Sequence, residues 1–230
     1  MRAKPNHILI TGSAGAIGST LVNGLKDRYT LRGLDMTPTP GLNDTIVGDI
    51  TDFDIALRAT RDVDAVIHLA AMPQVTTWEE NLSHNIIGTY NLLEAARQNA
   101  VRRIAFASRA GLLSAYPEEI TRTVDMLPRP NGLYSLSKAF GENLGYVYST
   151  NHGLEFVAVR VGNFRLDRDA PEHPHHLSHG DAVRVFEQAV THPGVTFAIV
   201  FGVSDSTVSL YDLEAGKKAI GYFPQDKSRP

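Results

Sequence analysis

The chain has 230 residues, which suits one domain, since domains commonly take ~100–200 residues. Apolar residues make up 43% and charged residues 20%, a composition typical of a folded globular protein rather than a disordered one. The net charge of −3 excludes a strong general attraction for nucleic acid or an anionic membrane, and the absence of cysteine excludes disulfides, zinc–thiolate sites and a cysteine nucleophile. We therefore expect a cytoplasmic protein with no nucleic-acid or membrane partner.

Short apolar segments alternate with helical patterns along the chain. The apolar segments predict strands buried on both faces, at His7–Thr11, Tyr29–Leu34, Thr45–Val47, Ala65–Leu69, Ile104–Ala107, Glu155–Val159 and Val195–Ile199. Helices are predicted between them, at Ile17–Arg28, Asp54–Ala59, Leu82–Asn99, Leu133–Asn151 and His179–His192. This alternation predicts an α/β fold, a Rossmann-type doubly wound parallel sheet. We expect one domain over residues 1–230, in which residues from about 161 to 230 form a reduced substrate-binding part.

A glycine-rich turn follows the first predicted strand. Gly12 permits a tight turn, Gly15 lets a pyrophosphate approach the backbone, and Gly18 lets the helix pack close to the strand. The helix then begins at Ala16 and Ile17, and its N-terminus offers free N–H groups to phosphates. A glycine triplet in this strand–turn–helix position predicts a dinucleotide site.

An acidic residue ends the second predicted strand. Asp35 lies 23 residues after Gly12, where a carboxylate accepts hydrogen bonds from the adenosine ribose. The carboxylate would repel a 2′-phosphate, and Met36 follows where a basic residue would favour one. The pattern therefore predicts NAD rather than NADP as cofactor.

Tyr134 and Lys138 share one face of a predicted helix, at positions i and i+4. A nearby ammonium stabilises tyrosinate and lowers the tyrosine pKa. A tyrosine tuned in this way can take a proton from a substrate hydroxyl while a hydride leaves for a nicotinamide.

Taken together, these motifs resemble the extended short-chain dehydrogenase/reductase family, that is, the NAD-dependent epimerase/dehydratase group, and within it the uronate dehydrogenases. The resemblance covers most of residues 7–165. It is carried by the segments Thr11–Gly18, Asp35, Gly48-Asp49, His68–Ala71, Asn85–Asn91, Phe106–Ser108, Tyr116-Pro117, Arg129–Asn143 and Leu177–Asp181. It implies NAD as cofactor, a sugar acid or sugar as substrate, and oxidation of C1 to a lactone.

The resemblance also implies roles for individual residues. Five would contact the adenine or line the wall between adenine and nicotinamide: Asp49, Ile50, Leu69, Ala70 and Ala71. Asn85 would hold the helix backbone and a relay water, Tyr134 would be the base, and Lys138 would hold the nicotinamide ribose. A homodimer through the helices that carry Asn85 and Tyr134 is implied as well.

Three adjacent positions depart from the family pattern. Arg109 stands where the family has a catalytic serine, and Ala110 and Gly111 replace the Asn and His that touch the sugar. Three interpretations remain open. Arg109 binds an acidic substrate, Ser108 or Ser114 supplies the missing hydroxyl, or the site has lost dehydrogenase activity and kept the dinucleotide.

Candidate substrate ligands also lie after the sixth predicted strand. Asn163 and Arg165, with Arg168 nearby, occupy the region that contacts the sugar carboxylate in uronate dehydrogenases. The chain stops earlier than the resemblance leads us to expect, so helices that complete the pocket would be missing. The small C-terminal part favours a small sugar acid over a nucleotide sugar. The alternatives are a nucleotide-sugar epimerase or dehydratase, and a catalytically silent NAD-binding protein.

A histidine cluster stands in the longest irregular stretch, Ala170–Gly180, which is a candidate lid. Its members are His173, His175, His176 and His179. The spacing matches no common zinc pattern, and we expect no metal site there.

Overall fold

The structure, a computed structural model, describes residues 4–72, 77–167 and 174–228. Seven parallel strands form one sheet, in the order β3-β2-β1-β4-β5-β6-β7. Their bounds are β1 His7–Thr11, β2 Thr30–Asp35, β3 Thr45–Val47, β4 Ala65–His68, β5 Arg103–Arg109, β6 Glu155–Val161 and β7 Phe197–Gly202. The predicted doubly wound parallel sheet is confirmed.

Helices cover both faces of this sheet. They are α1 Ala16–Leu25, α2 Phe53–Ala59, α3 Trp78–Glu80, α4 Gly88–Gln98, α5 Leu133–His152, α6 His179–Thr191 and α7 Glu214–Ile220, with a 3₁₀ segment at Ala110–Leu113. The predicted helix Leu82–Asn99 is wrong in its first part, because Asn81–Ile87 winds as a π-helix between α3 and α4. Two strands of two residues each, β8 Asp205–Ser206 and β9 Lys227–Ser228, pair outside the main sheet and were not predicted, being too short to show a pattern.

The core consists of two layers, one on each face of the sheet. Ile8 and Ile10 of β1 face α1 and α6, whereas Leu9 of the same strand faces α2 and α4. Alternate side chains of a strand point to opposite faces, so a strand buried on both sides is apolar at every position. This is why the strands appear in the sequence as continuous apolar runs.

The parallel arrangement brings all strand carboxyl ends to one edge of the sheet. The glycine turn after β1, Asp35 at the end of β2 and Arg109 at the end of β5 therefore meet at the same edge. Over the residues that the structure describes, no helix has the length and hydropathy needed to span a lipid bilayer.

Candidate functional site

A cleft of about 940 Å³ opens along this carboxyl edge. It brings together nearly every residue that the sequence predicted for the site. The predicted residues that line it are Gly12, Gly15, Ala16, Ile17, Gly18, Asp35, Met36, Asp49, Ile50, Leu69, Ala70, Ala71, Ser108, Arg109, Tyr134, Lys138, Asn163 and Arg165. Asn85 is the exception and lies behind the cleft wall.

The glycine turn has the shape that a dinucleotide phosphate requires. Gly12 has φ +70°, a left-handed conformation that side-chain-bearing residues rarely adopt. A Cβ on Gly18 would lie 2.1 Å from the Gly12 carbonyl oxygen, so only glycine lets α1 come this close to the turn. Gly15 caps α1 with no side-chain hydrogen bond, which leaves the N–H groups of the first turn available to an anion. The turn therefore fits a pyrophosphate.

Asp35 is held by backbone donors at the far end of the cleft. The Ala14 N–H donates to its Oδ2 at 3.0 Å, and the Thr37 N–H donates to its Oδ1 at 3.1 Å. These bonds fix the carboxylate beside the turn, where an adenosine ribose would lie. The neighbouring Met36 is exposed and brings no positive charge to the site.

Asp49 is oriented by two neighbours. Its Oδ1 accepts a 2.8 Å hydrogen bond from the Thr51 N–H, and His84 Nε2 lies 3.4 Å from its Oδ2. Burial raises the pKa of Asp49, but these hydrogen bonds and the charge of His84 lower it overall. Sequence reasoning missed His84, whose link to Asp49 crosses from the π-helix to the end of β3.

The Asn85 side chain forms hydrogen bonds with other parts of the chain and does not line the cleft. Its Oδ1 accepts a 2.7 Å bond from the Met72 N–H, and its Nδ2 donates to Asn81 Oδ1 at 2.9 Å and Ser137 Oγ at 3.2 Å. The Asn85 amide therefore ties the segment after β4 to the π-helix and to α5. This placement fits the expected role of Asn85 in holding the backbone, and its expected contact with a relay water stays a prediction.

Two cations flank the Tyr134 ring. Lys138 Nζ and the Arg109 guanidinium carbon each lie 5.5 Å from the ring centroid. Burial raises the pKa of Tyr134, and the charge of Arg109 acts against that rise. Burial also lowers the pKa of Lys138 to about 7. In this geometry Arg109 is a cation that lowers the Tyr134 pKa, and the expected lowering by Lys138 stays a prediction.

Gly111 makes room for the Arg109 side chain. A Cβ on Gly111 would lie 2.4 Å from Arg109 Nε and 3.2 Å from its Cζ. The arginine thus folds back over the glycine and reaches Tyr134. Two of the three departures from the family pattern, at 109 and 111, are linked by this contact.

Ser108 does not point a free hydroxyl into the cleft. Its Oγ donates to Glu142 Oε1 at 2.5 Å, and Glu142 also accepts two 2.9 Å bonds from Arg160. A hydroxyl has one hydrogen, so Ser108 has no donor left for a substrate oxygen. The expected catalytic role of Ser108 stays a prediction, and in this structure its proton is donated to Glu142. Ser114 lines the same cleft, is exposed, and has no side-chain hydrogen bond within the described ranges.

The two residues predicted to bind the sugar, Asn163 and Arg165, line the cleft and also form contacts within the protein. Arg165 pairs with Asp167, with Nε 3.2 Å from Oδ1, and its carbonyl oxygen meets His179 Nε2 at 2.7 Å. The Asn163 N–H donates to the His175 carbonyl at 2.7 Å. Arg168 and His173 lie outside the described residues.

Sequence reasoning missed four other residues at this end of the cleft. They are Glu118, Arg122, His175 as a cleft residue and Tyr211. Arg122 and Tyr211 are brought together by an isolated β-bridge between two loops far apart in the chain, a pairing with no sequence signature. Among the described residues, no three His, Asp or Glu side chains are grouped as a metal site.

Comparison with known proteins agrees with this geometry. Residues 8–191 match the NAD dependent epimerase/dehydratase family. The chain is 33% identical to an NAD-dependent glucose-6-phosphate dehydrogenase from Haloferax volcanii, over 96% of this chain and 94% of that protein. It is 33% identical to a uronate dehydrogenase from Pseudomonas syringae pv. tomato, over 97% of this chain and 83% of that one.

A solved structure adds the cofactor. A mutant uronate dehydrogenase from Agrobacterium tumefaciens, complexed with NAD, has a TM-score of 0.90 and 29% identity, with 97% of this chain and 86% of that chain covered. The expectation of NAD as cofactor is confirmed. Because the match spans most of the parallel sheet and the glycine turn at its carboxyl edge, this chain belongs to the NAD-dependent epimerase/dehydratase family.

Proposed function

We propose that this protein is an NAD-dependent dehydrogenase that oxidises C1 of a sugar or sugar acid to a lactone. The observation that carries the proposal is the placement of Tyr134 and Lys138 at one end of a cleft whose other end holds the glycine turn and Asp35. Relatives of this chain are named as dehydrogenases of sugars and sugar acids, which supports the same reaction class.

In this proposal, Tyr134 is the general base. NAD, when bound, supplies the acceptor for the hydride that leaves C1. The Tyr134 phenolate takes the proton of the C1 hydroxyl, so that the new carbonyl forms as the hydride departs. Arg109 favours the phenolate through its charge, and the same charge stabilises negative charge that develops on the reacting oxygen.

Lys138 and Ser114 take the remaining roles. Lys138 is 3% exposed, and its Nζ lies over the Phe106 ring at 4.9 Å, so the amino group is held at the cleft floor where the nicotinamide ribose would lie. Ser114 offers the hydroxyl that the family has at position 109 and that this chain lacks there. The proposal thus adopts the second interpretation of the Arg109 departure, with Ser114 as the serine that supplies the hydroxyl.

The test is NADH formation, followed by absorbance, with a panel of uronic acids, sugar phosphates and neutral aldoses. We expect turnover with at least one, and a loss of turnover in Tyr134→Phe. Turnover with none of them, together with identical behaviour of wild type and Tyr134→Phe, would contradict the proposal. Activity that appears only in Arg109→Ser would instead support the silent NAD-binding protein.

The expected homodimer remains a prediction, as does the cytoplasmic location. Apolar side chains stand exposed on α4 and α5, the two helices expected at the interface, at Tyr90, Leu136, Tyr146 and Val147. Sedimentation equilibrium measures the mass in solution, and a monomer at micromolar concentration would overturn the dimer.

A further inference from the structure

Arg122 is buried at the substrate end of the cleft. It stands between the 3₁₀ segment and α5, and its residue is only 3% exposed. Both of its backbone groups are hydrogen-bonded to one loop. The Arg122 N–H donates to the Leu210 carbonyl at 2.8 Å, and the Arg122 carbonyl accepts from the Asp212 N–H at 2.9 Å. The Arg122 side chain is therefore held at the cleft by the pairing of its own loop with this one.

The charge of Arg122 has no carboxylate partner within the described residues. Its Nη1 and Nη2 donate only to the carbonyl oxygens of Ile120, at 3.2 Å, and Tyr116, at 3.0 Å. A guanidinium has five N–H donors, so donors remain for another acceptor. Burying a cation without an anion is costly, and breaking a buried pair is strongly destabilising for that reason.

Two other arginines of this protein show the contrast. Arg103 and Arg160 are 2% and 1% exposed, and each forms an ion pair with a glutamate, at 2.7 Å with Glu155 and 2.9 Å with Glu142. Neither of them lines the cleft. Of these three deeply buried arginines, the one at the cleft is the one that lacks an anion.

A tyrosine hydroxyl shares this end of the cleft with the Arg122 guanidinium. Burial raises the pKa of Tyr211 to about 12 although the charge of Arg122 lowers it, so the Tyr211 hydroxyl keeps its proton at neutral pH. That hydroxyl lies 2.7 Å from His175 Nδ1, and a ring proton on Nδ1 of His175 leaves the Tyr211 O–H available to another acceptor. Glu118 also lines the cleft, but no ion pair within 4 Å joins it to Arg122 among the described residues. Arg109 adds a second guanidinium without a carboxylate partner there.

We propose that Arg122, together with Tyr211, binds an anionic group of the substrate, a phosphate ester or a carboxylate carried away from C1. The inference rests on the proposed function and goes further, since it names the substrate class, an anionic sugar, and the residue that selects it. Arg122 supplies charge-assisted hydrogen bonds to the anion's oxygens, and Tyr211 adds a neutral donor. The anion in turn neutralises the buried charge.

The test compares anionic with neutral sugars in matched variants. NADH formation is measured with glucose 6-phosphate, glucuronate and galacturonate, and with glucose and arabinose, for wild type, Arg122→Gln and Arg129→Gln. Arg129 belongs to the same loop, is exposed and lies over the Tyr116 ring, 4.3 Å from its centroid, so its variant controls for loop damage.

For Arg122→Gln we expect the KM of the preferred anionic sugar to rise at least ~10-fold, because one charge-assisted hydrogen bond is lost. The KM of neutral sugars and the kcat should change little. The substrate with the larger rise tells a phosphate from a carboxylate. Equal effects on anionic and neutral sugars, or a wild-type preference for neutral sugars, would overturn the subsite.

Two further measurements keep the test decisive. If Arg122→Gln fails to fold, Arg122→Lys keeps the charge but loses the forked geometry, and we expect it to weaken anionic substrates alone. Calorimetric titration of the NAD-loaded protein with glucose 6-phosphate and glucuronate detects the subsite without turnover. Binding that depends on Arg122 but yields no NADH leaves the subsite standing and contradicts the dehydrogenase. Turnover that is the same in wild type and Arg122→Gln supports the dehydrogenase and contradicts the subsite.

Discussion

The Arg109 guanidinium carbon lies 5.5 Å from the centroid of the Tyr134 ring, so a cation stands over the proposed base. Its charge counters the rise in the Tyr134 pKa that burial causes. The arginine that departs from the family pattern therefore lowers the Tyr134 pKa, an effect that the sequence analysis expected of Lys138.

Removing this charge should move the pH profile of kcat. In Arg109→Met the pKa of Tyr134 rises, so the limb on which kcat increases with pH shifts to a pH higher by ~1–3, as expected for a charge ~4–6 Å away. Arg109→Lys serves as control, because it keeps a cation near the ring. Steady-state rates from pH 6 to 10 measure the limb, and an unshifted limb in Arg109→Met would show that Arg109 does not tune Tyr134.

Substitutions of Ser114 and Ser108 should have different effects on kcat and on stability. Ser114→Ala removes the free hydroxyl at the cleft, and we expect kcat to fall ~10²–10³-fold, the usual loss when one donor to a developing oxyanion is removed. Ser108→Ala removes a donor to Glu142 and should lower stability more than kcat. Steady-state kinetics and thermal melts of both variants test this. A larger loss of kcat in Ser108→Ala would show that Ser108, and not Ser114, supplies the hydroxyl.

Asp35 should control the choice between NAD and NADP. In Asp35→Ser the repulsion of a 2′-phosphate disappears, and like charges in contact cost several kcal/mol. We expect the ratio of kcat/KM for NAD to that for NADP to fall at least ~10-fold. Asp44→Ser is a control, since Asp44 is a carboxylate just before β3 that pairs with Arg32 and does not line the cleft. A wild-type enzyme that already prefers NADP would refute this role of Asp35.

Lys138 should make stability depend on pH. Its pKa is about 7 in the folded protein, below its ordinary value of 10.5, so the unfolded chain binds more protons between these values. The free energy of unfolding therefore rises with pH above about 7, by at most ~1.4 kcal/mol per pH unit from this group. Below pH 7 both states carry the charge and the folded state bears the full desolvation penalty.

Lys138→Met removes that dependence. Denaturant unfolding without added NAD, at pH 7, 8 and 9, should show the advantage of wild type over the variant growing with pH. The exposed Lys218→Met should run parallel to wild type at all three values. A constant difference between wild type and Lys138→Met would mean that Lys138 titrates normally.

Glu142 should be the most costly of these side chains to remove. It accepts hydrogen bonds from Ser108 and Arg160, both nearly inaccessible to solvent, and Glu142→Ala leaves the Arg160 cation buried and unpaired. We expect a loss of ~3–5 kcal/mol in unfolding free energy. Arg97→Ala breaks an exposed ion pair with Glu94 and should change the unfolding midpoint little. Comparable losses in the two variants would contradict this account.

The core strands and the cofactor end of the cleft could be predicted because their determinants are local. Strands buried on both faces leave continuous apolar runs, and the turn between β1 and α1 needs glycine at Gly12 and Gly18 for reasons of backbone geometry. Asp35 follows at a characteristic distance along the same unit. The π-helical turn at Asn81–Ile87 could not be predicted, because its side-chain pattern differs little from that of an α-helix.

The substrate end depends on contacts between distant segments. Arg122 meets the Tyr211 loop, Ser108 meets Glu142, and the Arg109 side chain turns over Gly111 to reach Tyr134. None of these pairings has a fixed spacing along the chain.

By itself, the sequence determined the fold class, the dinucleotide turn and the placement of the tyrosine–lysine pair on one helix face, since each depends on periodicity or on backbone conformation within a short segment. Only the tertiary structure decided which cation tunes Tyr134, which serine is free, and which buried arginine lacks an anion. The physical reason is that pKa, hydrogen-bond commitment and charge compensation are set by all neighbours in space, and those neighbours come from strands and loops that the chain brings together only when it folds.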